Sequence, residues 1–210
     1  MLPAPSFDEM KRTLEWKRTP VIGLLFAPAF STLAVEAVIP RLGYLDQRAG
    51  DFIHFFCAGY GAYHFAEDTE SIGNMTYKDG TVIPWGFSQR KFASFVDEIQ
   101  RATTWQYSGD VDLILTKPDL TFTDCVLYDV ASMMRDGALD SMPRLFEAVI
   151  SYTEKAGGRA SVTGASDQSG IAILGEAAAE GILNLMPKPL QGLWKKGLHY
   201  RTRDLSRPRQ

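Results

Sequence analysis

Apolar positions along this chain fall into two kinds of run. Residues 21–26, Val-Ile-Gly-Leu-Leu-Phe, and 52–57, Phe-Ile-His-Phe-Phe-Cys, are short and nearly continuous. Runs of this kind read as strands buried on both faces, the habit of a parallel sheet covered by helices. Other stretches repeat at helical spacing. Phe7, Met10 and Leu14 predict a helix over 7–18, which Pro20 ends. Phe92, Phe95, Val96 and Ile99 make an inward stripe on a helix that Ser88 opens. Met142, Leu145, Phe146, Val149 and Ile150 do the same within 139–156, and Gly157-Gly158 stops it. Phe26, Phe52, Phe55, Phe92, Phe95, Phe146 and Ile150 are the expected core.

Between these runs the punctuation is equally informative. Ala27-Pro-Ala-Phe30 is a turn, and Ser31 or Thr32 is placed to cap a helix running to about Leu42, kinked or ended by Pro40. Residues 47–51 read as a loop. Residues 62–86 show no clear period and read as an insertion or long loop, the kind that often carries function. Residues 111–116 and 121–128 flank Lys117-Pro-Asp-Leu120 and form an expected antiparallel hairpin. The chain divides into an α/β domain over 1–158, a Gly/Ser/Thr-rich linker over 159–170, and a C-terminal helix with a basic tail over 171–210.

The resulting order is strand, helix, strand, helix, hairpin, helix. The stretch Leu24-Leu-Phe-Ala-Pro-Ala-Phe-Ser-Thr-Leu-Ala-Val-Glu-Ala-Val-Ile-Pro-Arg-Leu42 resembles the strand, active-site turn and kinked helix of the thioredoxin fold, with Pro40 where that helix has its kink. The resemblance covers about residues 21–156. It implies an α/β fold with a thioredoxin-like β-α-β-α-β-β-α core, a long insertion and a C-terminal helical extension. Two departures bear on chemistry. The turn at 27–33 has no cysteine, so the dithiol is missing, and no proline stands just before Val111, where the family keeps a cis-proline. The fold is implied; the redox activity is not.

Composition narrows the class. The chain has 210 residues, 45% of them hydrophobic and 22% charged, enough to build a core without a disulfide or metal staple. The net charge of −3 conceals an asymmetry: residues 188–210 carry seven basic side chains against Asp204, +6, which leaves −9 on the rest. A basic tail on an acidic body either folds back on that body or docks on an acidic partner. A protein partner or acidic surface reached through Lys195, Lys196, Arg201 and Arg203 is the preferred expectation. Nucleic acid or an anionic membrane ranks lower, because the body has no basic patch. Few apolar side chains follow Leu198, so the last residues are expected to add little to stability. Cys57 and Cys125 stand 68 positions apart in neither a CxxC nor a zinc spacing, which points to a reduced, cytoplasmic protein. Residues 21–40 are mostly apolar behind Lys17 and Arg18, yet Pro28 and Glu36 argue against a transmembrane span. No cofactor motif stands out.

Candidate chemistry clusters after the two buried strands, where open α/β sheets place ligands. Ser31 and Thr32 sit at an expected helix start, with Gly59, Tyr60 and Gly61 after the second strand, so an anion site is one reading and simple capping and chain turning the other. Cys57 with His64 is a candidate nucleophile–base pair, set against the usual role of such a cysteine as a small buried apolar residue. The acidic run Glu67-Asp-Thr-Glu70 beside His64 matches no metal-ligand spacing and reads as a solvated loop. Asp110 and Asp112 share one face of a strand start, where an edge role is expected. Tyr60, Trp85, Trp105 and Tyr107 are candidates for an aromatic surface. The expected function is that of a non-redox binding or accessory protein acting through its C-terminal helix and tail. The alternative is an enzyme acting on an anionic small molecule near Ser31, Cys57 and His64.

Overall fold

The computed structural model describes residues 1–17, 19–62, 68–77, 79–167 and 204–207. Its centre is a mixed five-stranded sheet. Strand β1 is Leu2–Ala4, β2 is Ile22–Phe26 and β3 is His54–Ala58. Five consecutive buried residues in each of β2 and β3 match the continuous apolar runs, because helices cover both faces. β3 lies between β1 and β2, parallel to each, with Leu25 opposite Cys57 and Leu2 opposite Phe56. Past β2 the direction reverses. β7, Asp112–Thr116, runs antiparallel to β2, and β8, Val126–Asp129, runs antiparallel to β7, giving the order β1-β3-β2-β7-β8.

Gly23 explains one tight contact in this sheet. A Cβ there would lie 2.4 Å from the Phe55 ring, which itself stands edge-on to Phe146 at 5.1 Å. The glycine leaves room for the aromatic pair that joins β3 to helix α5, Met142–Ala156.

Helix α1, Phe7–Leu14, starts at Ser6, whose hydroxyl accepts from the Glu9 N–H at 3.2 Å. After β2 the chain follows a less regular course than one kinked helix. Residues Ala34–Val38 form a π-turn, Ile39–Arg41 a 3-10 turn, and only Leu42–Ala49 a regular helix, α2. Pro40 has no N–H to give the Glu36 carbonyl. The Arg41 guanidinium supplies it instead, donating to the carbonyls of Glu36 at 3.0 Å and Ala37 at 3.1 Å. The loop expected at 47–51 therefore begins only at Gly50.

The insertion after β3 is a small sheet rather than a loop. Strands β4 (Tyr60–Gly61), β5 (Thr69–Thr76) and β6 (Val82–Ser88) pair antiparallel in the order β4-β6-β5. A bulge between Ser71 and Gly73 shifts the register, and Pro84 sits where its side away from β5 has no ladder partner. Ser88 then caps α3, Gln89–Ala102, accepting from Lys91 N–H at 3.2 Å while donating to Asp68 at 2.5 Å. The buried stripe of α3 is Phe92, Phe95, Val96 and Ile99, as its spacing requires. A short helix α4, Val130–Arg135, precedes α5.

Of the expected core aromatics, Phe52 alone is out of place: it is 38% exposed, because β3 starts at His54 and Phe52 belongs to the turn before it. The Gly/Ser/Thr-rich stretch after α5 is helical over 162–167 and buries Val162 and Ala165. The expected helix over 171–186, and Lys195, Lys196, Arg201 and Arg203 of the tail, lie outside the described residues. Among the described residues no helix is long and apolar enough to cross a membrane; residues 21–40 are split between β2 and the helical turns.

Candidate functional site

The carboxyl ends of β2 and β3 lie side by side, and the residues singled out there have different fates. Ser31 is buried at the start of the helical segment. Its hydroxyl accepts from the Ala34 N–H at 3.1 Å and donates to the Asp110 carboxylate at 2.5 Å, across 79 positions of sequence. Thr32 next to it faces solvent. Tyr60 is buried and donates its hydroxyl to the Ala27 carbonyl; burial raises its pKa. Gly59 has φ +79°, and a Cβ there would lie 2.6 Å from that of Phe92, so the chain turns against α3 at this point with no space for a side chain. Gly61 pairs with Gly86 inside the small sheet. Ser31 thus meets a carboxylate, whereas Tyr60 and the two glycines hold the turn together.

Cys57 lies in β3 with its thiol fully buried, and burial pushes its pKa up to about 12. A protonated, enclosed thiol is a small apolar side chain, not a nucleophile. Cys125 is likewise buried, its pKa raised by burial to about 11. His64 and Glu67 lie outside the described residues. Asp68, from the acidic run, is engaged with Ser88 and lies 3.9 Å from Arg90. Among the described residues no three His, Cys, Asp or Glu side chains gather as a metal site.

The residue that sequence reasoning undervalued is Asp112. Its carboxylate is 1% exposed at the start of β7, opposite Phe26 on one side and Asp129 on the other. It accepts from the Ser108 N–H at 3.0 Å. Burial, with a smaller contribution from Asp129, raises its pKa to about 6. Asp110, two residues earlier, is only half-buried and holds Ser31, while Tyr107 donates to the Asp110 carbonyl at 2.6 Å. Shared strand parity placed both aspartates on one face; nothing in the spacing told which of them the sheet would enclose. Around them Phe26, Phe92, Trp105 and Tyr107 form one aromatic cluster, with Phe26 and Trp105 centroids 4.5 Å apart. Trp85 packs instead against Tyr60 and donates its indole N–H to Tyr77 at 3.0 Å. Phe30 remains 58% exposed beside Ser31, edge-on to Phe87 and Phe92.

A concavity of about 430 Å³ opens at the other end of the sheet between α2 and the tip of the β5–β6 hairpin. Lys17, Asp46, Asp51, Tyr77 and Asp79 line it with His54. His54 is 8% exposed, and burial, reinforced by Lys17 and the N-terminal ammonium, pushes its pKa down to about 4.

What fold and site define together is a mixed α/β domain whose strand ends carry a hydroxyl, carboxylates and aromatics, with both cysteine thiols buried. Comparisons with family models, with curated proteins and with solved structures return no match.

Proposed function

We propose that this chain is a thioredoxin-like binding or accessory protein of the cytoplasm that performs no thiol–disulfide exchange. The observation that carries this reading is the strand end after β2: Ser31 and Thr32 stand at the helix start, and both cysteines are buried and unpaired. Support for the thioredoxin-like core comes from the strand order β1-β3-β2-β7-β8, in which β7 alone runs against the other four, and from a helix between β2 and β3 and another between β3 and β7. The small sheet over 60–88 is an insertion in that core. Partner engagement rests on the basic C-terminal segment, where Lys195, Lys196, Arg201 and Arg203 supply charge that the acidic body lacks.

The experiment is affinity capture from source-cell extract with the full chain and with a version carrying Lys195→Glu, Lys196→Glu, Arg201→Glu and Arg203→Glu. An acidic protein retained by the first, lost by the second and released as salt rises supports the reading, because exposed charges are screened within about 8–10 Å. Equal retention by both overturns it.

The alternative, an enzyme acting on an anionic small molecule at this helix start, has the Asp110 carboxylate against it, because that carboxylate takes the Ser31 proton and repels a second negative charge. Anion-dependent stabilisation of the wild type that disappears in Ser31→Ala would favour it over the accessory role.

A further inference from the structure

Residues Asp204–Arg207 are held against the body by a set of bonds that treats them as a ligand. Leu205 is the centre. Its N–H donates to the Phe122 carbonyl and its carbonyl accepts from the Thr104 N–H, both at 2.8 Å, so its backbone is satisfied on both sides by elements that do not otherwise pair. Its side chain is 6% exposed and joins the hydrophobic core. Ser206 forms a bridge with Thr103. Two positions after the leucine, the Arg207 guanidinium donates to the Thr103 carbonyl at 2.9 Å and the Gln100 carbonyl at 2.7 Å. Those carbonyls close the end of α3, where the helix leaves acceptors unfilled and its dipole favours a cation.

The opposite wall is built for the same task at a cost. Leu120 and Phe122, in the β7–β8 connection, have φ of 55° and 57°. Neither is a residue that tolerates the left-handed region easily, and strain of this kind is found where a segment is clamped in place. Phe122 is buried, and the carbonyl that its conformation presents is the one that Leu205 uses.

We infer that the slot between the α3 carboxyl end and the β7–β8 connection is a peptide-recognition site that reads an extended segment with leucine followed two residues later by arginine. In the free chain its own residues 204–207 occupy it, and a partner protein presenting the same Leu-x-Arg element competes for it. Recognition divides between backbone pairing for affinity, an apolar pocket for the leucine and helix-end carbonyls for the arginine. The inference is independent of the basic-tail reading above, since its ligand is fixed by the slot and its test needs no partner.

The test uses the full chain with Leu205→Asp and Arg207→Ala, which empties the slot, and a fluorescent synthetic peptide of residues 201–210. A cis segment acts at an effective concentration in the millimolar range, so the titration runs to about 10 mM. Saturable binding to the emptied chain, loss of binding when the peptide itself carries the leucine or arginine change, and at least about tenfold weaker binding to wild type are expected, the last because occupied slots scale down the apparent affinity. Equal binding of a scrambled peptide, no saturation in the emptied chain, or equal binding by wild type overturns the inference. Should the double variant fail to fold, Arg207→Ala alone, a change at an exposed side chain, serves as receptor; the Thr104 amide, which donates to the Leu205 carbonyl, is expected to exchange faster in it than in wild type, and equal exchange overturns the inference.

Discussion

His54 and Asp112 are buried side chains that pull stability in opposite directions as pH changes. His54 titrates at about 4 in the fold against an ordinary 6.5, so the unfolded chain binds the extra proton. Stability contributed by the neutral imidazole is complete above about 6.5 and is lost as pH falls toward 4. Asp112 titrates at about 6 against an ordinary 3.8, so here the folded chain holds the proton. That contribution is complete below about 4 and is lost as pH rises through 6. The two effects offset one another between about pH 4 and 6, and single variants separate them. His54→Gln is expected to leave only the Asp112 effect, so that its melting temperature rises relative to that of wild type as pH falls from 6.5 to 4.5. Asp112→Asn is expected to raise the melting temperature at pH 7.5 and to leave it nearly unchanged at pH 4, as read by circular dichroism. An Asp112→Asn chain less stable than wild type at pH 7.5 would mean that the ionised carboxylate helps the fold. The thiols offer a further check: with both cysteines buried and their pKa values raised, the native chain is expected to resist a thiol reagent at pH 8 until denaturant is added.

Helix α5 is joined to the sheet by Phe146, which stands edge-on to Phe55 of β3. Phe146→Ala removes the partner of Phe55 and is expected to cost about 3–5 kcal/mol, measured by urea unfolding. Elements buried on two faces or along a regular stripe were legible in sequence: β2, β3, α3 and α5 each follow from runs of apolar residues at the period of their class. The β5–β6 hairpin was not legible, for reasons visible in its residues. Only Met75 of β5 is buried, so no alternation develops; the bulge at Ser71 and Gly73 breaks what parity remains; and Pro84 counts against a strand unless its free edge is known. Strand β1 is three residues long and is a strand only because β3 offers it an edge. In the candidate site the capping role of Ser31 was legible from local sequence. Its bond to Asp110 was not, because it depends on β7 arriving beside β2.

At the scale of the whole molecule, the tail changes most between sequence and structure. Its low apolar content led to the expectation that the final residues contribute little, yet Leu205 is buried and bonded from both sides. Removing residues 204–210 is therefore expected to lower the melting temperature, because it exposes the core that Leu205 covers and frees the Phe122 carbonyl and the Thr104 N–H. A melting temperature unchanged by this truncation would show that the docked segment adds nothing to stability. The sheet order has a consequence for how the chain reaches this state. β2 is the middle strand, and one of its edges is completed only by β7: Leu24 meets Ile114, 90 positions further on. A nascent chain must expose that open, wholly apolar edge until α3 and the insertion have been synthesised. Pairing at such a distance raises contact order and slows folding, and an unpaired hydrophobic strand is where aggregation starts. Refolding yield should therefore fall steeply with protein concentration, and a ribosome-bound chain ending near residue 105 should engage chaperones that the finished protein does not.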